Sequence, residues 1–300
     1  MRPAGDGTCA AVHSKPSGER NERMTPIQLE QRAQLDEFER QGFISVPNAL
    51  TPAQISAFNR EIDDYLKQFP EEWIHFDASL VQTVNVLPRT SGFDAAIENA
   101  PTLDLLRGLL GEEISFEEFS IMIRYPTTRT TDIKSWHRDI TRDYERRKEI
   151  QAMSLIYYLT DVTVTDHCFS IIPETHNRLV DYRPDDVVPG MERDLLGPAG
   201  TAVLFHARCL HSGKLRPTSC ERRTLHLYYS HSDQARTSEW SDIPERLHRK
   251  HDPALPPRLY SKWNLTDVFE GTGKKPQDLD PAMSAADMIR EVQRRANQKR

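Results

Sequence analysis

The sequence has few cysteines and lacks any apolar run long enough to span a membrane. Its four cysteines, Cys9, Cys168, Cys209 and Cys220, form no CxxC pair and are too few for a disulfide-stapled secreted scaffold. No apolar stretch approaches the roughly 18 residues that a membrane helix needs. Residues 1–23 contain no apolar segment of the kind that secretory signals carry. We therefore expect a reducing, cytoplasmic setting and no membrane partner.

The sequence also lacks an excess of positive charge. It has 39 Lys and Arg against 45 Asp and Glu, which gives a formal net charge of -6. Nucleic-acid-binding domains usually carry a basic surface, so we expect no nucleic-acid partner. A chain of 300 residues with 37% hydrophobic residues can bury the core of one large domain. We expect a disordered leader over 1–23 and a single domain over 24–300, with a helical N-terminal part and a polar C-terminal extension.

The first part of the chain has the apolar spacing of helices. A helix is predicted over 25–41, followed by a short strand over 43–47 that ends at a proline. Thr51 and Pro52 are typical of the first positions of a helix. The apolar residues that follow them predict its buried face, which comprises Ile55, Phe58, Ile62, Tyr65 and Leu66. A third helix is predicted over 101–110.

From residue 114 onward the pattern changes to that of strands. The predicted strands cover 114–125, 152–159, 168–172, 201–206 and 224–230. Helices followed by many short strands indicate a sandwich or barrel with a helical buttress. The charged stretch 138–151 is predicted to be an exposed loop that could serve as a lid. Residues 231–281 are polar and Pro-rich, and a last helix is predicted over 282–296.

One motif and one later histidine form a candidate metal site. The run Ser-Trp-His-Arg-Asp contains His137 and Asp139, and His211 comes just after the predicted strand 201–206. Two imidazoles and one carboxylate can bind one face of an Fe(II) ion and leave the opposite positions open. His206, which precedes His211 by five residues, remains an alternative distal ligand.

The His-x-Asp pattern on its own is a weak signal because this chain shows it three times. His75-Phe76-Asp77 lies before the β-rich part, and His231-Ser232-Asp233 lies in a region without a strand pattern. Both are therefore interpreted as surface positions. The copy at His137 and Asp139 lies between predicted strands, which places it at the mouth of a sheet.

Two neighbouring arginines are candidates for holding an anionic co-substrate. Arg222 lies 11 residues after His211 on a strand-like segment, and Arg223 follows it. Side chains alternate along a strand, so Arg222 shares a face with His226, while Arg223 shares the other with Leu225 and Leu227. The apolar pattern alone would turn Leu225 and Leu227 inward together with Arg223. The offset from His211 favours Arg222, and Arg223 stays open.

Several segments together resemble the phytanoyl-CoA dioxygenase family of Fe(II)/2-oxoglutarate oxygenases. They are Trp136-His137-Arg138-Asp139, Leu159-Thr160-Asp161, Ile172-Pro173-Glu174-Thr175-His176, 197–205 followed by His211-Ser212-Gly213, and the opening 38–47. The resemblance covers roughly 30–260. Two positions depart from the family pattern: Glu174-Thr175 replaces the common Gly-Ser, and His167-Cys168 occupies a place where glycine is frequent.

The resemblance implies a mainly β, double-stranded β-helix (jelly-roll, cupin-like) fold with flanking helices. It implies Fe(II) bound by His137, Asp139 and His211, 2-oxoglutarate as co-substrate with its far carboxylate on Arg222, and O2 as oxidant. The expected reaction is oxidation of a C–H bond of a small molecule, hydroxylation first, in secondary metabolism. Desaturation, cyclisation and epoxidation stay open, whereas halogenation is not expected because related halogenases replace the aspartate by a small residue. The alternative is a jelly-roll binding protein without oxygenase activity.

Overall fold

The computed structural model describes residues 26–129, 136–139, 152–177, 184–233, 241–262 and 264. The predicted leader over 1–23, the predicted helix over 282–296 and the charged loop beyond Asp139 lie outside these residues. Among the helices within them, we find none with the length and hydropathy required to cross a membrane.

The fold is built on two antiparallel sheets. Strands of the larger sheet are β1 (Phe43–Val46), β2 (Ile74–Asp77), β3 (Leu80–Thr83), β4 (Ile114–Arg124), β5 (Ala152–Tyr158), β8 (Ala202–His206) and β10 (Arg222–His231). Their spatial order is β1-β8-β5-β10-β4-β3-β2. The smaller sheet contains β6 (Cys168–Ile171), β7 (Arg193–Leu195) and β9 (His211–Lys214), in the order β7-β6-β9.

The helices are α1 (Pro26–Gln41), α2 (Pro52–Gln68), α3 (Asp94–Ile97), α4 (Ala100–Leu110) and α5 (Glu245–His248). The predicted start of α2 is confirmed: the Thr51 side chain accepts from the Gln54 amide, while the Gln54 side chain accepts from the Thr51 amide. This reciprocal cap satisfies two backbone donors that the helix itself leaves unpaired. Of the predicted apolar face, Phe58, Ile62 and Tyr65 are buried, and Ile55 and Leu66 are half-buried.

The two faces of the larger sheet have different partners. Leu225 and Leu227 on β10 lie in the core shared with the helices, which also includes Phe58 and Leu106. The opposite face packs on the smaller sheet in a second core that contains Ile156, Tyr158, Val203, Phe205, Phe169 and Ile171. The space between the sheets therefore lies on the Arg222 face of β10. Leu225 and Leu227 are turned inward, as the apolar pattern predicts, but they face the helices and not the space between the sheets.

Three strand assignments differ from the sequence interpretation. His75-Phe76-Asp77 forms part of β2, and His231 is the last residue of β10 rather than the start of an irregular region. His211 begins β9, in a segment for which no strand is predicted. The segment His-Ser-Gly-Lys has little strand propensity of its own. It is a strand because β6 pairs with it, with Ile171 opposite His211.

The turn after Ile172 contains Glu174, one of the positions that depart from the pattern described above. Glu174 has φ +67°, a left-handed conformation that glycine adopts more easily than other residues. Its amide donates to the Gln41 carbonyl at 2.9 Å, and the Asn177 amide donates to the Glu174 carbonyl at 2.9 Å. Thr175 donates from its hydroxyl to the Ile172 carbonyl at 2.7 Å. These three hydrogen bonds hold the turn with a glutamate at this position.

Candidate metal centre

His137, Asp139 and His211 come together at one end of the space between the sheets. One ligand atom from each lies within 4.8 Å of the others. Asp139 Oδ1 is 3.2 Å from His211 Nε2 and 3.9 Å from His137 Nε2. These are the three residues that the sequence predicts as ligands. Two imidazole nitrogens and one carboxylate oxygen, clustered on one side, suit Fe(II) with further positions left open.

Backbone hydrogen bonds hold the two halves of this cluster together. His137 and His211 form an antiparallel bridge, with N–O distances of 3.1 and 3.0 Å. The Asp139 amide donates to the Ala207 carbonyl at 3.0 Å. Residues two apart in an extended segment point to the same side, so His137 and Asp139 both face His211.

Neighbouring groups orient two of the three side chains. The Ser154 hydroxyl on β5 donates to Asp139 Oδ2 at 2.8 Å, and Asp139 Oδ1 is left facing both imidazoles. His211 Nδ1 lies 3.0 Å from the Cys209 carbonyl, which can only accept. The proton of a neutral His211 is therefore on Nδ1, and Nε2 presents its lone pair toward the cluster.

The site is buried on one side and open on the other. His211 is 5% exposed and packs against the rings of Phe169 and Phe205, whereas the His137 side chain is 55% exposed. Burial would raise the pKa of Asp139, but the His211 imidazole, the Ser154 hydroxyl and the His137 imidazole together hold that pKa below its usual value. Asp139 is thus an anionic group at neutral pH, as a ligand for a divalent cation should be.

The competing histidines lie elsewhere. His206 Nδ1 accepts from the Arg208 amide at 3.1 Å. The centroids of the His206 and His176 rings are 5.8 Å apart. His75 is exposed on β2, and His231 pairs with Asp233 of its own motif. Among the residues that the structure describes, the cluster of possible ligand atoms contains none of these three.

The two arginines of β10 have different environments. Arg223 pairs with Asp63 of α2 at 2.8 Å and with Glu221, and it donates to the Asn59 carbonyl at 3.3 Å. Arg222 is 8% exposed, and its buried Nε has no hydrogen-bond partner in the described part of the chain. Burial lowers the pKa of Arg222, and Tyr158 partly offsets that effect. A buried guanidinium donor without a partner is costly, so this face of β10 suits an anionic ligand.

Ser154 is a functional candidate that sequence reasoning missed. It is the one small polar residue in the otherwise apolar and aromatic strand Ala-Met-Ser-Leu-Ile-Tyr-Tyr. That contrast was the available signal, but it did not say which residue the hydroxyl would contact. Its partner, Asp139, lies on a different segment that only the fold brings close.

The sequence is similar to those of dioxygenases, which agrees with the candidate iron site. The family model described as phytanoyl-CoA dioxygenase (PhyH) matches residues 38–224. A protein of Stutzerimonas stutzeri described as "Probable alpha-ketoglutarate-dependent hypophosphite dioxygenase" is 23% identical over 209 residues. This match covers 64% of the chain and 66% of the relative, just under two thirds of the relative's own length.

Solved structures show the fold. The epimerase SnoN, in complex with Fe3+, alpha ketoglutarate and nogalamycin RO, superimposes with a TM-score of 0.59 at 17% identity, over 75% of this chain and 93% of that one. HygX from Streptomyces hygroscopicus, with nickel, 2-oxoglutarate and hygromycin B bound, gives a TM-score of 0.56 at 14% identity, over 68% and 89% of the two chains. The predicted jelly-roll fold is confirmed.

Proposed function

The chain belongs to the phytanoyl-CoA dioxygenase family of iron- and 2-oxoglutarate-dependent oxygenases, and we propose that it hydroxylates a C–H bond of a small molecule. One observation carries the proposal. His137, Asp139 and His211 cluster within 4.8 Å beside a sheet face on which the buried Arg222 has a donor without a partner. A metal ion and a dicarboxylate together would satisfy both features.

The three clustered side chains would hold Fe(II). Asp139 contributes the negative charge, and Ser154 and the Cys209 carbonyl keep the carboxylate and the His211 ring in orientation. When bound, iron and 2-oxoglutarate would allow O2 to oxidise the substrate, and 2-oxoglutarate would be converted to succinate and CO2. The exposed side of His137 leaves room for the substrate to approach.

Arg222 would bind the carboxylate of 2-oxoglutarate that lies away from the metal. A guanidinium offers two parallel donors to a carboxylate, so it fixes orientation as well as charge. Arg223 is already paired with Asp63 and Glu221 on the helix-covered side. The anion therefore restores a partner to Arg222 without breaking an existing ion pair.

Hydroxylation is the outcome that we propose first, and desaturation, cyclisation or epoxidation would begin at the same C–H bond. Halogenation is not proposed, because Asp139 occupies the position that a halide would need. The complexes of SnoN with nogalamycin RO and of HygX with hygromycin B support a secondary metabolite as substrate. The hypophosphite named for the relative in Stutzerimonas stutzeri makes a small oxyanion the second candidate.

We propose that 24–300 form one oxygenase domain behind a leader at 1–23. Cys168, Cys209 and Cys220 are free thiols, which supports a reducing, cytoplasmic setting.

The experiment is a turnover assay with Fe(II), 2-oxoglutarate and 18O2 in the presence of a panel of small molecules that includes hypophosphite. We expect Fe(II)-dependent succinate, and 18O in one substrate product. Folded, iron-loaded protein that makes no succinate with any member of the panel would favour a jelly-roll binding protein instead.

A further inference from the structure

His226 lies on β10 between the candidate anchor and the candidate metal centre. It shares the site face with Arg222, two alternations earlier, and with Tyr228, one alternation later. Ser154, which donates to Asp139, is directly opposite Tyr228 in the neighbouring strand. A two-residue step along a strand spans roughly 7 Å. Along the site face of β10, His226 therefore lies between Arg222 and Tyr228, the residue opposite the serine that contacts Asp139.

The charge state of His226 follows from the same surroundings. Burial and then the Arg222 guanidinium lower its pKa to about 3, while Asp139 raises it and His211 lowers it. The imidazole is therefore neutral near pH 7. It can act as one hydrogen-bond donor and one acceptor, but not as a second cation.

The hydrogen bonds of Thr224 allow the neutral His226 ring to carry its proton on either nitrogen. Thr224 Oγ1 lies 2.9 Å from His226 Nε2 and 3.5 Å from the Met122 carbonyl. Thr224 Oγ1 can accept from Nε2 while it donates to the Met122 carbonyl, or it can donate to Nε2 instead. An acceptor placed at Nδ1 would select the second arrangement, in which the imidazole proton is on Nδ1. Within the ranges that the structure describes, no hydrogen bond reaches His226 Nδ1, and the residue is half-buried rather than fully enclosed.

We infer that His226 is a positioning residue for 2-oxoglutarate, to which it donates a hydrogen bond from Nδ1. The inference rests on the proposed function, since it needs the co-substrate to lie between Arg222 and the metal ligands. Arg222 would supply the charge of the binding site. His226 would add a neutral donor partway along the co-substrate and so hold it against rotation about its two ends.

The test is the affinity of anaerobic, Fe(II)-loaded protein for 2-oxoglutarate, measured by calorimetry in wild type and three variants. In His226→Asn the amide nitrogen lies close to where Nδ1 was, whereas in His226→Gln it lies closer to Nε2. We expect His226→Asn to bind within about threefold of wild type, and His226→Gln and His226→Leu to bind about tenfold more weakly or worse. Affinity for Fe(II) alone should stay within about twofold in all of them, because His226 is not one of the clustered ligands.

The outcomes separate this inference from the function on which it rests. Equal 2-oxoglutarate affinity in wild type, His226→Gln and His226→Leu would show that the ring only packs, and would overturn the inference while leaving the function intact. An equal loss in His226→Asn and His226→Gln would also overturn it, since only one of them restores the Nδ1 donor. A wild-type protein that binds Fe(II) but no 2-oxoglutarate would refute the proposed function itself. If His226→Leu fails to fold, the comparison of the Asn and Gln variants remains decisive.

Discussion

Asp139 provides the negative charge of the candidate centre and contacts both of its histidines. One carboxylate oxygen faces His137 and His211, and the other accepts from Ser154. That division leaves the carboxylate a single orientation in which Oδ1 serves a metal ion. Removal of the serine hydroxyl should therefore loosen the ligand without changing any ligand atom.

We expect Ser154→Ala to weaken Fe(II) binding by about tenfold, the lower end of the effect usual for groups that orient metal ligands. Anaerobic Fe(II) titration with competition by a chelator would measure it. Ser120→Ala is the matched control, because Ser120 is also a buried serine on the site face of the larger sheet. Equal Fe(II) affinity in wild type and Ser154→Ala would show that the hydrogen bond does not support the metal.

A second change tests the choice among the three His-x-Asp motifs. Asp139→Gly should lose most of its bound iron and all succinate formation, because the single anionic ligand of the cluster is removed. His75→Ala, on the exposed strand β2, should keep both. Iron content after gel filtration would show which motif binds the metal. An empty site in His75→Ala alone would contradict our choice of His137 and Asp139 as ligands.

At the residue scale, the sequence predicted the candidate ligands that lie in recognisable motifs. His137, Asp139 and His211 were identified from residue type and spacing, and the structure brings them together. Ser154 and the Cys209 carbonyl were not identified. Their contacts join segments that are distant in the chain, and such pairings depend on sheet order rather than on any local pattern.

Among the elements, the junction between α1 and β1 is closely packed. Gly42 has φ +84°, and a Cβ on it would overlap the ring of His176 and the sulfur of Cys209. The Gly42 carbonyl accepts from the His206 amide at 2.8 Å. This turn therefore connects the helical part to the strands and segments that carry the candidate ligands.

We expect Gly42→Ala to destabilise the protein by more than Gly190→Ala does. Both glycines have a positive φ, but nothing lies within 4 Å of a Cβ at Gly190. The conformational cost is about 1–2 kcal/mol at each position, and overpacking should add about 1–3 kcal/mol at Gly42. Unfolding in urea would measure both variants, and equal losses would mean that His176 and Cys209 yield without cost.

Element prediction succeeded where propensity and burial agree. The predicted helices 25–41 and 101–110 match α1 and α4 within one residue, and the predicted strands 114–125 and 152–159 match β4 and β5 equally well. The strands β2, β3, β7 and β9 were missed. They are three or four residues long and depend on pairing with a neighbour. Even the alternating Ile-His-Phe-Asp of β2 is too short to distinguish a strand from other structure.

For the molecule as a whole, three histidines are held neutral by the folded state. Burial is the largest cause of the lowered pKa of His167, His176 and His226. In the unfolded chain these rings would take up protons below about pH 6.5. Their contribution to stability is therefore fully present above that pH and is lost as the pH falls toward the folded-state pKa, which is about 3 for His226.

The free energy of unfolding of the metal-free protein should decrease on acidification, and it should decrease less in His226→Asn than in wild type. From pH 7.5 to 5.5, the His226 share of that loss is on the order of 1 kcal/mol. Urea unfolding of both proteins at the two pH values would measure the difference. Groups with acidic pKa values titrate well below this window and affect both proteins alike. The same loss in wild type and His226→Asn would contradict a neutral His226 in the fold.

We propose that the three clustered ligands and Arg222 form one site for Fe(II) and 2-oxoglutarate. An anaerobic visible spectrum tests it most directly, recorded while metal-free protein is titrated with Fe(II) and then with 2-oxoglutarate at a concentration that nearly saturates wild type. We predict a weak charge-transfer band that needs both additions, is lost in Arg222→Ala, and persists in Arg223→Ala, whose arginine is paired with Asp63. Folded wild type that retains iron and shows no band, or a band of equal strength in Arg222→Ala, would contradict the account.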